Sequence, residues 1–313
     1  MSATTNLAII RRHGDYQFSE PPTTSADYSF VAASIYLSLE LLHTPHVRQC
    51  LARQAVQYDQ SLEQPGWYGR LQEDMTLSLN LVDSFLDAVS TTFPLVCIDE
   101  TIPTIDWLAD HPRGEWSGIF NPRAQAVCIN ARRVDDMVAS ATSPDSVNFR
   151  IFQFLFAHTF LHEVGGHMLI TYLSGGRRPL TPPEMGHGLY GTEAGRALER
   201  VAFRGALEYY CDFNQDDHQP GIPHLLYENG TVQRISQAFI DGFTNGQIYF
   251  PYTMEGDVQD VNCFQPMGRE VIINGLGLGP FTMSHSLTRG YRVRVDDIRR
   301  VLQDSRVRIS AVS

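Results

Sequence analysis

The run from Ile151 to Leu173, IFQFLFAHTFLHEVGGHMLITYL, constrains this chain most, because a segment so long and so apolar must be hidden from water. It is long enough to span a bilayer. Yet it carries His158, His162, Glu163 and His167, each costly in hydrocarbon, and no second span accompanies it. The reading that remains is a buried central helix, with a Ser/Asp start ahead of it and a Gly-Gly stop at Gly175 and Gly176. Unpaired polar groups are expensive in such a place, so two histidines and a glutamate there call for a common purpose.

His162-Glu163-Val164-Gly165-Gly166-His167 has the form H-E-x-x-x-H. Zinc takes neutral imidazole nitrogens, and two histidines one helical turn apart can present them to one ion. A glutamate directly after the first histidine is placed to take a proton from a metal-activated water, which is the logic of H-E-x-x-H. Here the spacing is one residue longer. On a regular helix positions i and i+4 lie about 40° apart, whereas i and i+5 lie about 140° apart. A single π-turn absorbs the extra residue, and Gly165 and Gly166 weaken the regular helix where that turn is needed. His158 and His162 are four apart and form an alternative pair without a bulge; otherwise His158 is a supporting or packed core histidine.

This segment resembles the metal helix of zincin-type metallopeptidases, in the H-E-x-x-x-H variant found in dipeptidyl peptidase III. The resemblance covers about 80 of the 313 residues, and the metal helix is its specific part. It implies an α+β fold with a zincin-like core: an edge hairpin, a long metal-binding helix, and a second helix bearing a glutamate. GIFNPRAQAVCIN, Gly118 to Asn130, is the expected hairpin and substrate-binding edge. In the gluzincin branch the third ligand is a glutamate on a later helix, and GTEAGRALERVAF offers Glu193 and Glu199. The small residues Ala194 and Gly195 favour Glu193, with Glu199 as the alternative. The E-E-x-x-x-E pattern of that family is missing, since Ala197 lies four residues after Glu193, so no carboxylate is assigned to orient a ligand histidine.

The rest of the chain fits one domain over residues 1–313, in three parts. Residues 1–92 form a helix-rich part behind a polar N-terminal arm (1–27), with helices in DYSFVAASIYLSLELL, TPHVRQCLARQAVQYDQSL and LQEDMTLSLNLVDSFLDAVS. Residues 93–210 hold a β-rich run at Phe93–Glu100, the hairpin, a short helix ARRVDDMVAS, the metal helix, a loop RRPLTPPEMGHGLYG and the Glu-bearing helix, with Thr192 as its cap. Residues 211–313 alternate strands and loops, with a hairpin turn at Glu228-Asn229-Gly230 and a closing helix VDDIRRVLQDS.

Composition narrows the function. A net charge of −11 and a basic group at Arg292–Arg300 that is broken by Asp296 and Asp297 argue against nucleic acid. Five scattered cysteines with no C-x-x-C, and no secretory h-region, point to a reducing, cytoplasmic setting without disulfides or a thiolate metal site. Gly275–Gly279 (GLGLG) is not a dinucleotide loop, DFNQDDHQPG lacks the order of an EF-hand, and no G-x-S-x-G is present. His187, His218 and His224 read as loop histidines, and Tyr209 and Tyr210 as strand packing.

The expectation is a zinc hydrolase acting on a peptide or other amide, with Glu163 as general base and no membrane or nucleic-acid partner. Two alternatives keep the helix: a zinc-dependent lyase, cyclase or isomerase acting on a small metabolite, and a non-catalytic module. Nothing in the sequence sets an oligomeric state.

Overall fold

A computed structural model describes residues 5–14, 17–71, 74–102, 108–113, 116, 118–141, 146–177 and 193–264. The RRPLTPPEMGHGLYG loop after Arg177, with His187, and the region holding GLGLG, Arg292–Arg300 and the expected closing helix lie outside them. The fold is α+β, with two sheets among the described residues.

The long apolar run is one rod in three sections: α5 (Val147–Phe160), a π-helical stretch (Leu161–Met168) and α6 (Leu169–Leu173). Ser146 starts it by accepting from the Phe149 backbone N–H, and the chain leaves through Gly175 and Gly176, both at positive φ. The rod is hydrophobic almost all round, so it must be wrapped. Three N-terminal helices, α1 (Ala26–Leu42), α2 (Pro45–Ser61) and α3 (Met75–Thr91), belong to the same apolar cluster as the rod. Thr44 caps α2 just before Pro45, and Asp74 caps α3 through two backbone N–H groups. α7 (Ala194–Phe203) and α8 (Gln237–Thr244) join that cluster as well. No helix among the described residues is long and apolar enough to cross a membrane.

The first sheet runs β2-β1-β3-β5-β4. β1 (Asn6–His13), β3 (Thr92–Asp99) and β5 (Ala126–Asn130) are parallel, and the short edge strands β2 (Gln17–Ser19) and β4 (Ala109–Asp110) are antiparallel to them. This corrects two expectations. The N-terminus is not a loose arm, because NLAII supplies a strand whose Ile9 and Ile10 are buried on opposite faces of the sheet. Nor do residues 118–130 make a hairpin. Pro122–Ala124 form a 3₁₀ turn capped by Asn121, and β5 has both edges taken, one by β3 and the other by β4. Pro122 has no N–H to give to a ladder, and Phe120 turns into an aromatic cluster with Phe85, Trp116 and Tyr172. The edge of this sheet beside β5 is therefore the antiparallel strand β4. α4 (Ala131–Ser140) follows β5 directly, as expected from ARRVDDMVAS.

The second sheet is an antiparallel run β6 (Ala206–Tyr210), β7 (Ile222–Leu226), β8 (Thr231–Ile235) and β9 (Met254–Asp260). The β7–β8 turn sits at the expected Asn229-Gly230, with Gly230 at φ 78°. DFNQDDHQPG is a loop in which Asp212 is occupied by Asn214 and Gln215.

Candidate metal centre

The π-helical stretch coincides with the H-E-x-x-x-H motif. It returns His167 to the side of His162, and the two rings lie 5.4 Å apart by their centres. The donor atoms of His162, Glu163 and His167 all fall within 4.8 Å of one another. A regular helix puts these two histidines on different faces, so the bulge creates the site.

Gly166 has a second reason, set by α7. A side chain at Gly166 would fall on the backbone of Gly195, and one at Gly195 would fall on the His162 ring. The rod and the start of α7 cross with backbone against backbone, which only glycine permits. Gln54 of α2 pins the crossing by donating to the Ala194 carbonyl at 3.1 Å.

This crossing delivers Glu193. It is the N-cap of α7, its carboxylate accepting from the N–H groups of Gly195 (2.9 Å) and Arg196 (2.8 Å), so the capping role expected of Thr192 falls to the glutamate. The same carboxylate faces both histidines: Oε2 lies 3.2 Å from His162 Nε2, and Oε1 contacts His167 Nε2. Burial works against its charge, but His162 and the two N–H groups outweigh that and hold its pKa at about 2.

Glu199 has a different place. Its Oε1 lies 2.6 Å from His162 Nδ1, on the side of the ring facing away from Glu193. The expectation that it could be a metal ligand is therefore corrected: it orients the ring that would hold the ion. One turn and a half into α7, it reaches behind His162, whereas Glu193 at the helix start reaches in front. Its other oxygen accepts from Arg196 (2.9 Å) and from the Leu207 N–H (3.0 Å), and Arg196 continues to Glu208 at 2.9 Å. Burial opposes ionisation of Glu199 too, yet Arg196 and His162 bring its pKa to about 2. The chain His162–Glu199–Arg196–Glu208 is the support that the missing E-E-x-x-x-E left unassigned. Arg196 and Glu208 went unnoticed in the sequence, although R-x-x-E at i and i+3 on an amphipathic helix was a visible signal.

Glu163 is buried beside the histidines, and burial pushes its pKa up to about 8 against the pull of His162 and Arg113. A carboxyl group so poised is suited to exchange a proton near neutral pH. Arg113 was also missed. It lies three residues past β4, and its Nη2 contacts His167 Nδ1. Burial lowers its pKa, opposed by Glu193, Glu163 and Asp110.

His158 is a core histidine rather than a ligand. Its Nδ1 lies 2.8 Å from the Phe154 carbonyl and its Nε2 lies 2.6 Å from the Tyr252 hydroxyl, and burial drops its pKa to about 4. His218 is a surface partner of Asp136, and His224 is a β7 strand residue rather than a loop histidine. Tyr209 and Tyr210 are buried in β6. A second group of donors, Cys97, Asp99 and Cys128, lies across β3 and β5. There Asp99 is already saturated by Thr101 and Arg12, and hydrogen bonding to Cys97 together with burial pushes the Cys128 thiol well up. All five cysteines are free.

The donor set fits zinc. Ligands about 2.0–2.1 Å from a tetrahedral ion lie roughly 3.3 Å apart, close to the 3.2 Å between His162 Nε2 and Glu193 Oε2. Two imidazoles and one carboxylate, with a second carboxylate on a histidine Nδ1, is the ligand pattern of catalytic rather than structural zinc. His162 and His167 keep 19% and 14% of their side-chain surface open to solvent, against 9% for Glu193 and 6% for Glu199. Compared with known proteins, the chain matches no family model, no curated protein and no solved structure.

Proposed function

We propose that this chain is a zinc-dependent hydrolase with a zincin-like core, cleaving a peptide or other amide bond. The observation that carries the proposal is the convergence of His162, His167 and Glu193 with Glu163 alongside and Glu199 behind. A parallel sheet with an antiparallel edge strand, β4, followed three residues later by Arg113 in contact with His167, supports the zincin-like reading.

His162, His167 and Glu193 would hold the ion, which supplies a Lewis acid and an acidified water when bound. Glu163, buried beside the two histidines, would take the proton of the attacking water and return it to the leaving nitrogen. Glu199 keeps the His162 proton on Nδ1, so that Nε2 is free to donate its lone pair. Arg196 keeps Glu199 ionised and fixed.

The first test is elemental analysis of untagged protein beside His167→Ala, followed by screening of peptides and small amides with Glu163→Gln as control. About one zinc per chain, lost in His167→Ala, is expected, with metal retained and turnover reduced at least a hundredfold in Glu163→Gln. Absence of metal after reconstitution, or full activity in Glu163→Gln, would overturn the reading. Turnover of small non-amide metabolites instead would move the same site to lyase or isomerase chemistry.

A further inference from the structure

Resting on the zinc-hydrolase reading, we infer that the substrate carries a large apolar or aromatic side chain a few residues from the bond cleaved, and that Trp67 and Trp116 form the wall that receives it. The segment after β4 ties this wall to the metal centre. His111 Nε2 lies 3.2 Å from the Thr171 hydroxyl, Arg113 contacts His167, and Trp116 donates from Nε1 to the Thr171 carbonyl at 2.8 Å. Thr171 is four residues past His167, and its hydroxyl lies 3.3 Å from the His167 carbonyl. Trp116 is therefore laid against the rod one turn, about 6 Å, beyond the ligand histidine. Trp67 extends the wall. It donates from Nε1 to the Tyr172 carbonyl at 3.1 Å, and its ring centre lies 6.4 Å from that of Trp116 and 5.4 Å from that of Tyr172. An extended peptide advances about 3.3 Å per residue, so a chain cleaved at the histidines and running along this side of the rod sets its second or third residue over the pair.

What this wall shows to solvent is carbon held in a fixed position. Trp67 keeps 52% of its surface exposed. Yet its ring stands edge to face with Tyr68, Trp116 and Tyr172, and it rests on Gly175, where any side chain would fall on the indole. Trp116 is backed by Phe120 at 5.3 Å and lies nearly parallel to Tyr172, at 7°. Folding thus fixes a large ring without hiding it, so a ligand that covers it has little side-chain entropy to overcome. An indole has a single polar group, its N–H, and both are committed to carbonyls at the end of the rod. The open faces offer only dispersion and aromatic contact, which suits an apolar chain or a ring. A cation could also rest on an indole face, but Arg113 in the same segment repels it. Two rings are too small an area for a second copy of this chain, since a stable interface takes about 800 Å² from each partner. In this role Trp67 and Trp116 set specificity, and the proton transfers stay with Glu163.

The test uses the full zinc-loaded chain and two hydroxamates that both grip zinc. Acetohydroxamate ends at the metal, whereas 5-phenylpentanohydroxamate carries a phenyl ring out to the wall. Calorimetry is expected to show the phenyl compound about tenfold tighter or more in wild type. Trp67→Ala should remove at least fivefold of that preference and Trp67→Phe should restore most of it, with acetohydroxamate within twofold of wild type in both. Equal affinity for the two hydroxamates in wild type, or a preference unchanged in Trp67→Ala, overturns the wall and leaves the hydrolase reading intact. A wild-type chain that takes up no zinc overturns both. Should Trp67→Ala not fold, nuclear Overhauser contacts between the bound phenyl ring and the Trp67 indole of wild type decide, and their absence overturns the inference.

Discussion

Replacing Gly166 with alanine separates the reason for this glycine from general helix propensity. The new Cβ would lie 2.6 Å from the Gly195 nitrogen and 3.0 Å from the Ala194 carbonyl carbon. These are backbone atoms, so no side-chain rotation relieves the clash. Overpacking a filled interior costs about 1–3 kcal/mol, and a backbone contact belongs at the upper end. Alanine recovers about 1 kcal/mol of helix propensity relative to glycine. The net is a loss of about 2 kcal/mol, or roughly 3 °C in Tm for a chain of this size. Gly165→Ala is the control, because its Cβ meets the terminal methyls of Leu198 and Leu42 at 2.8 and 2.9 Å, which can rotate aside. There the two terms nearly cancel, and the change stays within about 1 kcal/mol. Urea titration of chelator-treated protein measures both, with m-values to show that the unfolding reaction is unchanged. Zinc competition against a chromophoric chelator gives the second readout: Gly166→Ala should bind at least tenfold more weakly, as α7 moves off with Glu193, and Gly165→Ala should not. A Gly166→Ala protein as stable as wild type, with the same zinc affinity, would refute the close crossing.

Three further outcomes are expected. Glu199→Gln should lower zinc affinity roughly 10- to 100-fold while Glu163→Gln leaves it near wild type, measured by the same competition, because only the first disturbs the orientation of His162. Metal-free protein should lose stability on acidification: burial lowers His158 and His111 from 6.5 to about 4 in the folded state, so their contribution is present above pH 6.5 and lost as pH falls through 4. Each is worth roughly 3 kcal/mol by that shift, and His158→Gln should reduce the fall in urea midpoint between pH 7 and pH 4.5. Tyr252→Phe leaves one nitrogen of the buried His158 without its 2.6 Å partner and should cost about 1–3 kcal/mol by the same titration, with no change in metal content.

The sequence carried the central rod, the three N-terminal helices and the β7–β8 hairpin, because each has its own periodicity, cap or turn residues. Ser146, Thr44 and Asp74 stand at the helix starts where local hydrogen bonding requires such residues. The two histidines and Glu163 were legible for the same reason: they share one helix, so their spacing alone dictates a π-turn if they are to meet. The Glu-bearing helix was also legible, but the roles of its two carboxylates were not. Whether Glu193 or Glu199 faces Nε2 depends on how α7 crosses the rod, and that is set by Gly166 against Gly195, 29 positions apart in the chain.

The misread segments are those whose neighbours are distant in sequence. NLAII is a strand because β3, over 80 residues later, supplies its ladder, and GIF is not one because β4 has already filled that edge of β5. Arg113 was invisible for a similar reason: a lone arginine after a two-residue strand has no periodicity to mark it, and only its approach to His167 gives it a role. Local backbone chemistry, written along the chain, determined which elements form and which residues share a helical face. Contacts between separate elements, where burial and hydrogen-bond satisfaction are settled only on packing, decided which carboxylate meets the ligand face, which one stands behind it, and which cation joins them.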